Sequence, residues 1–182
     1  MMKLVCKTER MSLVKLDHSS AELVLDYVNR NRAFLKQWEI ERDETYFTKE
    51  YQVELLEKEA KMMEEGQLLK VWMLYEERLI GSIALNNIVR GAFQSCHLGY
   101  RMDGNLVNQG LMTEGLKAII AYAFEVMDLH RIEANIMPRN AASLKVVKKL
   151  GFYEEGLALK YLKIHGVWED HIHMVLRNTA LE

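Results

Sequence analysis

The sequence predicts a mixed α/β (α+β) domain built on one sheet, and three observations carry that expectation. Strand-like apolar segments are interleaved with segments of helical period. Three consecutive strand-like segments are separated only by short polar turns, as in an antiparallel meander. Hydrophobic residues make up 49% of the 182 residues and charged residues 27%, enough apolar mass for one substantial core and a solvated surface. The expected organisation is one domain over residues 1–182.

Along the chain, "MSLVKL" (11–16) alternates and reads as a strand. "SSAELVLDYVNRNRAFLKQW" follows as a helix capped by Ser19 or Ser20 and dissolving near Trp38. A polar loop rich in Glu and Tyr leads to a second helix, with Thr48 as its cap and Gly66 as its stop. Strands are expected at 67–75, 78–89 and 93–102, turned by "EE" and "RGA". From Leu111 the pattern is helical and buries Met112, Leu116, Ile119, Ile120, Ala123 and Met127 on one face. "HRIEANIM" (130–137) returns as a strand, a short helix runs from Asn140 to a stop at Gly151, and two strands (152–164, 167–176) turn at "HGV".

Composition excludes several function classes. A formal net charge of −2 argues against a general nucleic-acid binder held by a basic surface. No apolar run approaches the roughly 18–20 residues of a membrane span, and "MMKLVCKTERM" lacks the apolar stretch of a signal peptide. Cys6 and Cys96 form neither a CxxC pair nor a disulfide framework, which points to the cytoplasm. His171 and His173 of "HIH" share a strand face, but no cysteine joins them and Glu169 is the one nearby carboxylate on that face, so no metal is expected.

The stretch "VNQGLMTEGLKAIIAYAF" (107–124) places glycine at the mouth of a helix. A helix N-terminus offers about four unpaired N–H groups and a partial positive charge, and a small residue lets an anion reach them. A strand-to-helix turn with glycine is equally ordinary in any α/β protein. Neither GxxxxGK[ST] nor GxGxxG is present, so a nucleotide hydrolase or dinucleotide site is not indicated.

Three segments in order, "LGYRMDGNLVNQGLMTEGLKAIIAYAF", "HRIEANIMPRNAASLKVVKKLGFYEEG" and "YLKIHGVWEDHIHMVL", carry a more specific signal. With them the chain resembles, over nearly its whole length, the GNAT superfamily of N-acetyltransferases, and within it the RimJ/RimL branch that acetylates ribosomal-protein N-termini. The resemblance implies a GNAT-like fold: a mixed, mostly antiparallel sheet flanked by about four helices. It also implies that the helix mouth binds the pyrophosphate of acetyl-CoA, at Asn108, Gln109, Gly110, Leu111, Met112 and Thr113. Val107 stands where the superfamily has Gln or Arg, and Met112 where it has a small residue.

By the same resemblance the pantetheine arm runs along Leu98, Gly99 and Tyr100, whose strand splays from its neighbour. Asn140 is implied as a further pantetheine contact and Ser143 as the acid that protonates the departing thiolate; by residue type alone, Ser143 is also an ordinary first-turn helix serine. Relatives often read "AEIGY" where this chain has "CHLGY", so His97 is the candidate base, with a strand histidine packed on a helix as the plain alternative. Lys145, Lys148 and Lys149 share a helical face that either meets the 3′-phosphate of CoA or is simply solvated.

The acceptor side is implied to lie over the first two helices, where Trp38, Glu39 and Tyr46 are the candidate contacts, and Trp168 and Tyr161 of the last hairpin either line the same cleft or simply pack the hairpin. Glu41, Asp43 and Glu44 make that region acidic, which suits a cationic or basic acceptor. Three readings remain open: an acetyl-CoA-dependent acetyltransferase of a protein N-terminus, ribosomal proteins foremost; one acting on a small amine such as a polyamine, amino acid or aminoglycoside; and a non-catalytic CoA sensor. No direct nucleic-acid or membrane partner is expected, and monomer and homodimer both fit.

Overall fold

A computed structural model describes residues 2–182. Its sheet has eight strands: β1 Lys3–Lys7, β2 Ser12–Lys15, β3 Leu69–Tyr75, β4 Arg78–Val89, β5 Ser95–Met102, β6 Arg131–Ile136, β7 Tyr153–Ile164 and β8 Val167–Arg177. They lie in the order β1-β2-β3-β4-β5-β6-β8-β7. Every neighbouring pair is antiparallel except β5 and β6, which are parallel. Four helices flank the sheet: α1 Ala21–Leu35, α2 Lys49–Glu64, α3 Leu111–Glu125 and α4 Ala141–Lys149. The expected mixed sheet with four helices is therefore observed.

β1 is the element that the sequence reading missed. Three apolar residues between two lysines give no clean period-2 pattern, and β1 is an edge strand whose single neighbour is β2. The first helix also starts differently. Asp17, not a serine, caps the turn His18–Ser20 that leads into α1 by accepting the Ser19 N–H, while Ser20 makes no capping bond. Thr48 and Asn140 cap as expected, accepting the N–H of Tyr51 and Ser143.

Alternation within the strands divides the interior in two. Leu69, Val71, Ile83, Leu85, Cys96, Leu98, Ile132 and Ala134 face α3 and α4, together with Leu116, Ile119 and Ala123 of α3. The opposite face packs Val14, Trp72 and Leu79 against Val24, Tyr27, Val28 and Leu56 of α1 and α2. Trp72 and Tyr27 meet edge to face with centroids 5.4 Å apart. Among the described residues no helix is long and apolar enough to cross a membrane.

Candidate active site

The one parallel junction is also where the sheet opens. β5 and β6 pair at only three positions, Ser95 with Arg131, Cys96 with Ile132 and His97 with Glu133. Beyond that rung β5 continues against β4 alone, Leu98 opposite Leu85, Gly99 opposite Ala84 and Tyr100 opposite Ile83. β6 continues against β8 alone. Strands that diverge leave inward-facing peptide groups without a ladder partner, and a buried polar backbone group needs one. The gap is thus a slot between β5 and β6 whose inward-facing amides and carbonyls have no ladder partner. A Cβ on Gly99 would meet nothing closer than Asn86 Nδ2 at 3.5 Å, so packing within the chain does not require glycine there.

On the α3/α4 face, the slot runs toward the mouth of α3. Gly110 sits at the N-cap with φ 78°, no side chain caps the helix, and Asn108 is also left-handed at φ 62°. Glycine adopts that conformation freely and asparagine tolerates it. Asn108, Gln109 and Gly110 are exposed, whereas Met112 is 8% exposed and points into the core. The bulky residue at the small-residue position therefore leaves the backbone cradle clear. These features fit the diphosphate of a CoA thioester: exposed, uncapped N–H groups and a turn whose side chains face away or outward.

Two supports hold that cradle, and neither is visible as a motif. Arg10, between β1 and β2, donates from Nη1 to the Gln109 carbonyl at 3.0 Å and from Nε to Glu114 Oε2 at 2.7 Å. Its backbone N–H donates to Glu114 Oε1 at 2.9 Å. Burial pushes the Glu114 carboxyl up, but bonds from Thr8 and Arg10 outweigh it and hold it below the usual range. Arg10 thus neutralises a carboxylate that would otherwise repel an anion at the helix mouth.

At the other end of the loop, Asp103 is 1% exposed and accepts from Arg30 Nε at 2.9 Å and from the Asn105 N–H at 3.0 Å. The Gly104 N–H donates to Asn31 Oδ1 at 3.0 Å. A Cβ on Gly104 would lie 2.7 Å from the Phe34 ring, so only glycine lets α1 approach this closely.

Ser143 lies in the first turn of α4, the helix that follows β6. Its N–H donates to Asn140 Oδ1 at 3.1 Å and its carbonyl accepts from the Tyr100 hydroxyl at 3.2 Å. That second bond ties β5 to α4 across the slot. Burial pushes the Tyr100 phenol up to about 12, against the lowering effect of its bond to Ser143. Lys145, Lys148 and Lys149 are exposed on α4.

The other face of the sheet carries His97 on the last β5–β6 rung, its Nε2 3.6 Å from Glu133 Oε2 and its Nδ1 3.4 Å from Asn87 Nδ2. Glu133 also accepts from Arg131 Nε at 2.6 Å. Beyond it, between α1, α2 and the sheet, two adjoining clefts of ≈ 240 and ≈ 350 Å³ share Glu39, Arg42, Tyr46 and Arg101. Gly99 and Tyr100 reach the larger one.

Glu39 and Tyr46 therefore line the expected acceptor side, but Trp38 and Trp168 are not among the lining residues. The Trp38 ring is covered by the Arg139 guanidinium at 5.0 Å, and Trp168 is 53% exposed on β8. His165, at the tip of the β7–β8 hairpin, lines the smaller cleft instead. Nor is the wall simply acidic, as composition suggested. Glu39 faces Arg101 at 3.5 Å, Glu44 pairs with Arg32, and Arg42 adds another cation. The loop carboxylates were legible; their partners, brought from β5 and α1, were not.

Comparison with known proteins agrees with this geometry. The family model described as "Acetyltransferase (GNAT) domain" matches residues 10–153. The chain is 38% identical over 165 residues to the probable N-acetyltransferase YjcK of Bacillus subtilis, covering 90% of this chain and 91% of that one. It is also 38% identical over 168 residues to the [ribosomal protein uS5]-alanine N-acetyltransferase of Escherichia coli, covering 91% and 86%. Among solved structures, the ribosomal-protein-S5-alanine acetyltransferase of Vibrio fischeri superposes with TM-score 0.93 at 32% identity, covering 97% of this chain and 98% of that one. Mycobacterium smegmatis RimJ in complex with CoA-disulfide has the same fold, with TM-score 0.89 at 24% identity, covering 94% and 83%.

Proposed function

The chain belongs to the GNAT acetyltransferase family and is an N-acetyltransferase, and from that premise we propose that it moves the acetyl group of acetyl-CoA onto the N-terminal α-amine of a protein, ribosomal proteins being the leading class. The observation that carries this reading is the loss of β5–β6 pairing just past His97 and Glu133, beside the uncapped mouth of α3. One face offers a diphosphate cradle, the other an acceptor cleft, and the slot joins them. A solved relative holds CoA-disulfide, and two relatives are named as alanine acetyltransferases of ribosomal protein S5.

Acetyl-CoA supplies an activated thioester. The chain's part is to hold it by main chain at 108–113 and along β5 at Leu98, Gly99 and Tyr100, with Asn140 as a further contact. Unpaired amides of the slot polarise the acetyl carbonyl, whose oxygen becomes an oxyanion in the attack; losing one such donor costs about 3 kcal/mol of barrier in well-studied enzymes. As the C–N bond forms and the C–S bond breaks, the amine loses one proton and the thiolate gains one. Ser143 donates the second proton and His97 accepts the first; solvent then returns a proton to Ser143 and takes the one held by His97.

An α-amine, with a pKa of about 7.7–8.0, is partly neutral near pH 7, whereas a lysine amine at about 10.4 is not. An N-terminal acceptor is therefore the easier substrate for a site with one modest base. Thiol release and mass-spectrometric product detection, with CoA binding by calorimetry, test the reading across peptides beginning with Ala or Ser and across polyamines, amino acids and aminoglycosides. Acetylated peptide is the expected product. Turnover of small amines alone would reassign the acceptor, and CoA binding without any turnover would make the chain a sensor.

His97→Ala is expected to lower kcat/KM by about 10²-fold at pH 7 and to depress the pH–rate profile, whose acidic limb reflects the acceptor α-amine as well. Superimposable profiles for the variant and the wild type would take His97 out of the chemistry.

A further inference from the structure

Past the His97–Glu133 rung, the next β6 side chain on the same face is Asn135, since residues two apart in a strand share a face. Asn135 therefore stands at the rim of the slot on the acceptor side. Its Nδ2 donates to the Tyr161 hydroxyl at 3.2 Å, while its Oδ1 is buried with no donor. A buried carbonyl oxygen without a partner is costly, and the chain keeps this one beside the reaction slot.

The tyrosine reaches that place through an irregularity of β7. The register of β7 against β8 shifts between Ala158 and Leu162, and Lys160 adopts φ 52°, a left-handed conformation unusual for lysine. The Lys160 N–H is held there by Asp170 Oδ1 at 2.8 Å. A bulge of this kind re-aims a side chain. The Tyr161 ring then sits against His171 and His173, with centroids 5.3 and 5.4 Å away. His171 is 4% exposed, and its Nδ1 lies 3.1 Å from the Glu169 carbonyl, so the ring on one side of Tyr161 is itself fixed.

We propose that Asn135 Oδ1 and the Tyr161 hydroxyl together seat the acceptor's primary amine; this rests on the acetyltransferase reading. A neutral primary amine has two N–H donors and one lone pair. Two acceptors at the rim take the two N–H groups before the attack and leave the lone pair free to face the acetyl carbonyl in the slot; once the C–N bond has formed, one of those protons leaves for His97. Asn135 and Tyr161 carry no charge, so the seat favours the neutral amine, the nucleophilic form, over the ammonium ion. The "HIH" histidines thus support a tyrosine in this arrangement, beside Asn135 and not on the lining of the two clefts.

The test uses the full chain, acetyl-CoA and a synthetic peptide beginning with alanine. Tyr161→Phe and Asn135→Leu are each expected to raise the KM for peptide about tenfold. CoA affinity by calorimetry and Tm are expected to match the wild type in both. Peptide KM unchanged in both variants, with turnover intact, would overturn the seat and leave the acetyltransferase reading standing. A wild type that binds CoA but acetylates no amine would overturn that reading and the seat with it.

Discussion

Ser143→Ala is expected to lower kcat by about 10²-fold or more, with the Kd for CoA changed less than about threefold. Both hydrogen bonds that place Ser143 use its main chain: the N–H to Asn140 Oδ1 and the carbonyl from the Tyr100 hydroxyl. Alanine preserves both, along with the start of α4, so the substitution removes the hydroxyl and little else. Among the described residues no hydrogen bond engages that hydroxyl, which leaves it free to serve a departing thiolate. A leaving thiolate needs its proton only as the C–S bond breaks, so the loss falls on kcat and not on coenzyme affinity. Rapid-quench measurement of the acetyl-transfer step separates this from slow product release. A variant within twofold of wild type in that step would remove Ser143 from the acid role. Tyr100, tied to Ser143 across the slot, would then be the next group to remove.

The fold was legible where local chemistry decides it. Thr48 and Asn140 announce helix starts, Gly66 and Gly151 follow helix ends with positive φ, and helical spacing in α3 marks Leu116, Ile119 and Ala123 as core. The helix mouth at Gly110 was legible for the same reason: a glycine before an apolar helical run has few other meanings. What lay beyond reach was whatever joins distant segments. Arg10 meets Glu114 across 104 positions and Arg30 meets Asp103 across 73. Each is an ordinary charged residue in its own neighbourhood, and only folding makes it a support. The neutralised acceptor wall has the same origin, because Arg101 and Arg32 arrive from other elements. Tyr161, like Trp168, was legible as an aromatic of the last hairpin that could line the cleft or pack the hairpin, but its direction was not. Its direction depends on a bulge at Lys160, and strict alternation cannot foresee an added residue.

Asp103→Asn is expected to destabilise the protein by about 3 kcal/mol at pH 7, because it leaves the largely buried Arg30 guanidinium with only the exposed Asp26 as counter-charge. For a chain of this size that is a fall in Tm of about 10 °C. Arg30 is 15% exposed at its side chain and Asp103 1%, so solvent screens the pair weakly. Burial pushes the Asp103 carboxyl up. Donation from the Asn105 N–H, Arg30 and Asn31 outweighs that and leaves it below the usual range. A depressed folded-state pKa contributes stability above the unfolded value, about 3.9, and loses it as pH falls through the folded value. The gap in Tm between wild type and variant should therefore be full at pH 7 and narrow below about pH 4, where the carboxyl of the unfolded chain protonates first and the folded one follows at lower pH. Calorimetric scans at both pH values check the sign as well as the size. A gap that is constant with pH would assign the loss to the shape of the site, and a gap below about 3 °C at pH 7 would show that α1 does not anchor the cradle loop through this pair. Because the pair, 73 positions apart in the chain, fixes the start of residues 104–110, the same variant links the packing of α1 to the readiness of the helix mouth.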